Sequence, residues 1–236
     1  RYWEGDGPSY YSNIGGGAMD FEEKIILTAG QIASARAMKN YKNRIHIAVD
    51  EWGAFGRNFM NVLPVAQCLN TFIRHADVVK MANFTLLTSL LSDDPKKGTF
   101  KSPLFYTFKL FSNNCLGKSV DTYVACDTFN TVKYTGVPYL DAVAVYSKEK
   151  DVVILNVVNR HESKPITADI INTANGFFSG ADAEVINVSD IKAPFEFDKQ
   201  DQYKPVSKAI STDNKKLSFS FPPHSFTQII ARLGTK

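Results

Sequence analysis

The period of the hydrophobic pattern changes once along these 236 residues, near residue 115, and that change constrains the fold more than any motif does. Residues 1–115 alternate helical and strand patterns. Asp20 with Glu23 three residues later has the spacing of a helix start, an aspartate standing where a capping box has Ser or Thr. Ile25, Ile26, Ala29, Ile32, Ala33 and Ala37 follow at helical spacing, to about residue 43. Ahead of them Gly15-Gly16-Gly17 reads as a mobile, glycine-rich loop. Residues 45–49 form a strand, 63–76 an amphipathic helix with Val65, Leu69, Phe72 and Ile73 on one face, and 77–84 a second strand. After a loop containing Asp93-Asp94-Pro95, 104–114 is a third helix. Helix, strand, helix, strand, loop, helix is the order of βα repeats, whose parallel strands are buried on both faces.

Two parallel strands cannot close a barrel, and an isolated pair leaves backbone donors and acceptors unpaired along its edges. Residues 1–115 therefore read as the last part of a larger unit whose earlier strands lie outside the chain. Residues 116–236 carry short runs of β-branched and aromatic residues instead, at 119–126, 140–146, 152–158, 166–171, 184–188, 217–221 and 226–233. Glu149-Lys150-Asp151 is a tight turn between two of them. Seven short strands broken by Asn, Gly, Pro and Asp predict an antiparallel sandwich. The polar, proline-marked stretch 194–211 reads as a long surface loop. The expected class is α/β followed by all-β.

A net charge of +3, with Lys96-Lys97 and Lys215-Lys216 as the only adjacent basic pairs, excludes the clustered charge of a nucleic-acid footprint. No apolar run approaches the ~20 residues of a membrane span. Cys68, Cys115 and Cys126 have no metal spacing and cannot all pair within the chain, so buried free thiols are expected. Free thiols lean toward a reducing, cytoplasmic compartment over a secreted one. The chain opens on Arg1, so a leader peptide cannot be read either way.

The strand at 45–49 runs into Asp50-Glu51-Trp52. The carboxyl ends of barrel strands face the active site, which makes an acidic residue there a catalytic candidate. Strict alternation places Ile45, Ile47, Val49 and Glu51 on the face toward the barrel mouth, and His46, Ala48 and Asp50 on the other. Trp52 and Phe55 follow, and aromatic walls are common around sugar rings. The competing reading is that Asp50 and Glu51 cap the strand. Tyr2-Trp3 has two readings as well, a sugar platform with a hydroxyl donor or a pair of loop anchors. His46 is expected to be packed between sheet and helix, His75 to end a helix, and His161 and His224 to sit in turns. There is no nucleophile elbow and no phosphate-cradling glycine loop.

Asp50-Glu51-Trp52, Phe72-Ile-Arg-His-Ala-Asp-Val-Val-Lys-Met-Ala-Asn83, Val137-Pro-Tyr-Leu-Asp-Ala-Val-Ala-Val-Tyr146, Val153-Ile-Leu-Asn-Val-Val-Asn-Arg160 and Phe221-Pro-Pro-His-Ser-Phe226 together resemble glycoside hydrolase family 51, the α-L-arabinofuranosidases. The resemblance spans nearly the whole chain. It implies that residues 1–115 are the C-terminal portion of a (β/α)₈ catalytic barrel and residues 116–236 a C-terminal jelly-roll sandwich. It places Glu51 on the catalytic nucleophile and Tyr2 on the tyrosine that hydrogen-bonds it, with Trp3, Trp52 and Phe55 as substrate-binding aromatics. The family's acid/base glutamate would lie upstream of Arg1. Leu86 and Ser89 stand where the family usually has Gln and Asn, a departure that leaves room for another glycoside.

The implied activity is retaining, exo-acting release of arabinose from arabinose-containing polysaccharides and oligosaccharides by double displacement. Two carboxyl groups about 5–5.5 Å apart would straddle the glycosidic bond, the nucleophile ionised and its partner protonated. The resemblance implies no metal or organic cofactor. It implies a carbohydrate substrate, the earlier part of the same barrel as partner, and a trimer or hexamer. The alternatives are a related barrel glycosidase such as an endoglucanase, and a non-catalytic carbohydrate-binding module centred on the sandwich.

Overall fold

A computed structural model describes residues 5–54, 56–85, 87–174, 177–213 and 216–234. The first long element, α1 (Gly17–Met38), is entered through a π-helical turn at Ser12–Gly16. The glycine triplet is thus helical and buried, contrary to the mobile loop expected from its composition. A Cβ on Gly15 would lie 2.5 Å from the Phe129 ring, and one on Gly16 2.4 Å from the Asp6 carboxyl carbon. Glycine here serves close approach rather than flexibility. Asp20, expected as the N-cap, sits inside the first turn and pairs with Lys24 four residues on. The helix ends at Met38, earlier than expected, and Asn40 beyond it takes a φ of 48°.

Next come β1 (Ile47–Trp52), α2 (Val62–Arg74) and β2 (Val79–Phe84). β1 and β2 pair in parallel, as the βα order requires. The expected loop around Asp93 is a hairpin of β3 (Leu91–Asp94) and β4 (Gly98–Lys101), turned by Gly98 at φ 85°. Asp94 Oδ1 accepts the Lys96 and Lys97 backbone N–H groups at 2.8 and 2.9 Å, an Asx-type turn that alternation cannot register. α3 (Pro103–Asn114) starts with proline in its first turn, where the missing N–H costs nothing.

The remaining strands are β5 (Lys118–Val120), β6 (Thr128–Phe129), β7 (Val137–Pro138), β8 (Leu140–Ser147), β9 (Val152–Asn159), β10 (Ile166–Ile171), β11 (Phe177–Ile186), β12 (Val206–Ile210), β13 (Thr212–Asp213), β14 (Lys216–Phe221) and β15 (Ser225–Gly234). A six-stranded antiparallel sheet in the order β12-β11-β15-β9-β8-β5 lies over a three-stranded one, β10-β14-β13. Leu155, Val157, Ala183, Val185, Ile229 and Ala231 from the first meet Leu217, Phe219 and Phe221 from the second. Two of the expected strands differ in extent, and β12 lies inside the stretch 194–211 expected as a surface loop. The strand at 119–126 pairs only over Lys118–Val120, and that at 184–188 belongs to the longer β11.

The other face of the large sheet lies under α2 and α3, so β9 is buried on both sides over most of its length. Phe111 of α3 stacks on Phe226 of β15 with centroids 5.1 Å apart. One apolar cluster runs from Phe21, Trp52, Leu63 and Leu104 into Val158, Ile186 and Phe226, crossing the change of period near residue 115 without a break. No helix among the described residues is long and apolar enough to cross a membrane.

Charge is buried at the same junction. Asp141 of β8 accepts Arg74 Nη2 at 2.6 Å and Asn70 Nδ2 at 3.0 Å, both from α2, and faces Arg160 Nη2 at 3.5 Å. Arg160 also donates to Gln67 Oε1 at 2.6 Å and the Pro138 carbonyl at 2.9 Å. Arg74 and His75 both reach Glu22 of α1 at 2.8 Å. Burial acts to raise the Asp141 pKa, but Arg160, Arg74 and the Asn70 amide outweigh it and hold the carboxyl below its ordinary range. Burial likewise opposes the ionised Glu22, and His75 and Arg74 overcome it.

Candidate active site

The candidate carboxylate, Glu51, lies at the carboxyl end of β1. Val49 pairs with Ala82 and Trp52 with Phe84, so three steps on β1 span two on β2, a β-bulge at Asp50-Glu51. Ile47 and Val49 are half-buried against the apolar core, and Ala48 is exposed. The strict alternation expected from the sequence, with Ile47, Val49 and Glu51 sharing one face, therefore does not hold. The bulge separates Glu51 from Val49: Asp50 and Glu51 are both exposed, and burial resumes at Trp52. Bulges re-aim side chains in this way beside functional sites.

Trp52 was expected at the sugar and is placed elsewhere. It is 1% exposed, held between Phe72 of α2, Phe84 of β2 and Phe108 of α3 at centroid distances of 5.0, 5.1 and 5.9 Å. It anchors the strand end on which Glu51 stands and offers no surface to a ligand. Its indole Nε1 has no hydrogen-bond acceptor among the described residues. His46, expected in the packed layer, is exposed. His75 does end α2, but it is held by Glu22, an ion-pairing group 53 residues away. His224 lies in the expected turn at φ 39°, with its ring nitrogens 2.6 Å from the Glu162 carbonyl and 2.9 Å from that of Val188.

Tyr2, Trp3, Phe55 and Leu86 lie outside the described residues. Ser89 closes a short 3₁₀ turn, Leu87–Ser89, and its carbonyl accepts the Ser102 hydroxyl at 2.8 Å. Because β1 and β2 are parallel, residues 56–61 and the β3–β4 hairpin follow from the same end of the pair. All three cysteines are free; burial pushes the Cys115 thiol up to about 11 and that of Cys68 well above its usual range. Among the described residues no group of three or more His, Cys, Asp or Glu is placed to hold a metal ion.

An exposed carboxylate ending a parallel strand, ahead of an antiparallel sandwich fused to the helices by one core, can be compared with known proteins. The sequence profile of the α-L-arabinofuranosidase C-terminal domain family matches residues 50–225. The chain belongs to this family. It is 26% identical over 239 residues to an intracellular exo-α-(1→5)-L-arabinofuranosidase of Bacillus subtilis strain 168, covering 90% of this chain and 47% of that protein. It thus spans about half the length of the relatives it matches. In fold it resembles a family 51 α-L-arabinofuranosidase from Bifidobacterium longum, with a TM-score of 0.88 at 17% identity over 98% of this chain and 52% of the other. The α-L-arabinofuranosidase from Thermotoga maritima, solved as an arabinose complex, superimposes with a TM-score of 0.82 at 21% identity, covering 97% and 51%. The family match begins at Asp50, immediately before Glu51.

Arg74, Asp141 and Arg160 lie in three of the segments on which the family resemblance rests. The structure joins them into one buried cluster. Local patterning does not reveal this cluster, because its members are 67 residues or more from Asp141 or share no local period with it. The isolated charges inside otherwise apolar runs were the available signal.

Proposed function

We propose that the protein containing this chain is a retaining, exo-acting α-L-arabinofuranosidase, with Glu51 as nucleophile. Residues 1–115 then form the C-terminal portion of a (β/α)₈ barrel and residues 116–236 its jelly-roll companion. The observation that carries the reading is the bulged end of β1, which leaves Glu51 exposed beside the buried Trp52 at the point where the family match begins. Glu51 attacks the anomeric carbon, forming a glycosyl ester as the leaving oxygen departs. A glutamate from an earlier strand, about 5–5.5 Å away, protonates that oxygen and then deprotonates the water that cleaves the ester. Tyr2 orients Glu51, Trp3 and Phe55 line the sugar site, and the assembled enzyme is a trimer or hexamer acting on arabinose-containing carbohydrate.

Glu51→Gln in the enzyme with its complete barrel is expected to abolish turnover of an aryl arabinofuranoside while leaving the unfolding midpoint unchanged. Near-wild-type kcat would sink the assignment. Residues 1–236 alone are expected to be inactive, since one carboxylate cannot serve both steps, and measurable hydrolysis by them would refute the two-carboxylate reading. Leu86 and Ser89, in place of the usual Gln and Asn, favour a second substrate reading, a related barrel glycosidase on another glycoside. A panel of aryl glycosides separates the two.

A further inference from the structure

Residues 190–204 leave the six-stranded sheet between β11 and β12 and, before returning to it, pack on the segments that follow β1 and β2. Their path is fixed at both loops of that end. The Phe195 N–H donates to the Arg57 carbonyl at 2.6 Å, the Met60 N–H to the Ile191 carbonyl at 3.1 Å, and Asn58 and Pro194 form an antiparallel bridge between them. Farther along, Phe197 and Tyr203 pack on Phe100 of the β3–β4 hairpin, with centroids 5.8 and 6.2 Å away. Gln200 Oε1 accepts the Lys101 N–H at 3.3 Å, and Lys97 reaches Asp198 at 3.2 Å. Tyr203 is the keystone. It is 3% exposed, its ring packs on Phe195 and Phe100, and its hydroxyl accepts the Glu196 N–H at 2.8 Å.

We propose that this excursion is a positioning clamp: the sandwich holds residues 57–60 and the β3–β4 hairpin in fixed relation, and Tyr203 is its positioning residue. Loops at the carboxyl ends of barrel strands build the rim of the site, so the clamp sets how the enzyme grips sugars beyond the scissile one. This step rests on the function proposed above. A rim fixed before binding lowers the ordering cost of an extended substrate. It contributes little to a small aryl glycoside, which carries no further sugars for a rim to hold. The sandwich is in this sense part of the binding site rather than an appendage.

The test compares Tyr203→Ala, Tyr203→Phe and Phe197→Ala in the enzyme with its complete barrel, using amide exchange and two substrates, an aryl arabinofuranoside and an arabino-oligosaccharide. Tyr203→Ala is expected to speed exchange at residues 57–61 and 98–102 and to lower kcat/KM on the oligosaccharide by about tenfold, chiefly through KM, with the aryl substrate changed by less than about threefold. Tyr203→Phe keeps the ring contacts and should restore most of the loss. Phe197→Ala, which removes only a half-buried ring, should show the same split to a smaller degree and serves if Tyr203→Ala fails to fold. Unchanged exchange at 57–61, or equal loss on both substrates, would overturn the clamp. If the wild-type enzyme cleaves neither substrate, the proposed function falls, while the exchange measurement still decides whether Tyr203 holds these loops.

Discussion

Replacing Asp141 by Asn tests the junction between the two halves with the smallest change in shape. Asp141 is 6% exposed and Arg160 5%. Asn keeps one acceptor, but it removes the charge that compensates Arg160 and turns an N–H₂ toward donors from Arg74 or Asn70. Arg74 contributes less, since its side chain is 32% exposed and it keeps Glu22 at 2.8 Å. Leaving a buried guanidinium without its counter-charge costs about 3–5 kcal/mol. For a chain of this size that is a fall in Tm of roughly 6–20 °C. Thermal and urea unfolding of wild type, Asp141→Asn, Arg160→Met and the double variant measure it. The double variant should be clearly more stable than the sum of the single losses predicts, because it removes both charges together. The pH dependence follows from the depressed Asp141 carboxyl. Its contribution is complete above the ordinary value of 3.8 and is lost as pH falls through the lower folded value, so the wild-type advantage should shrink only in strong acid. A loss under about 1 kcal/mol for Asp141→Asn, or strict additivity in the double variant, would refute the reasoning.

Gln228→Leu should cost about 1–3 kcal/mol, as it strips partners from two amides, Asn156 Oδ1 at 2.8 Å and Asn114 Nδ2 at 2.6 Å. A neutral result in urea unfolding would mean that water replaces the glutamine. Cys115, its thiol pushed up to about 11 by burial, should resist an electrophilic thiol reagent near neutral pH in the folded protein and react once it unfolds. Rapid labelling of Cys115 in the native state, read by peptide mass, would contradict that.

Much of this architecture was legible in the sequence. The 3.6-residue period of α2 and α3, the β-branched runs of β1, β2, β8, β9 and β15, and the parallel order of the first half follow from where apolar residues fall, because periodicity reports which face of an element is buried. Glu51 could be picked out as a strand-end carboxylate for the same reason. Its true setting could not. The bulge at Asp50-Glu51 depends on how β1 registers against β2, and it sends Trp52 into the core and releases Glu51 from the face shared by Ile47 and Val49. The buried glycines before α1 looked like a loop because their partners, Asp6 and Phe129, are supplied by other parts of the chain. Residues 194–211 looked like a surface loop because a polar, proline-marked segment carries no period, although Tyr203 within it is buried against Phe100 and Phe195. The sequence by itself determined the kinds of element, their order and the acidic strand end. The tertiary structure alone decided which distant side chains meet: Arg74, Asp141 and Arg160 at the junction, and Tyr203 on Phe100 of the β3–β4 hairpin. Such contacts join segments that local patterning treats as independent, and only the folded chain brings them together.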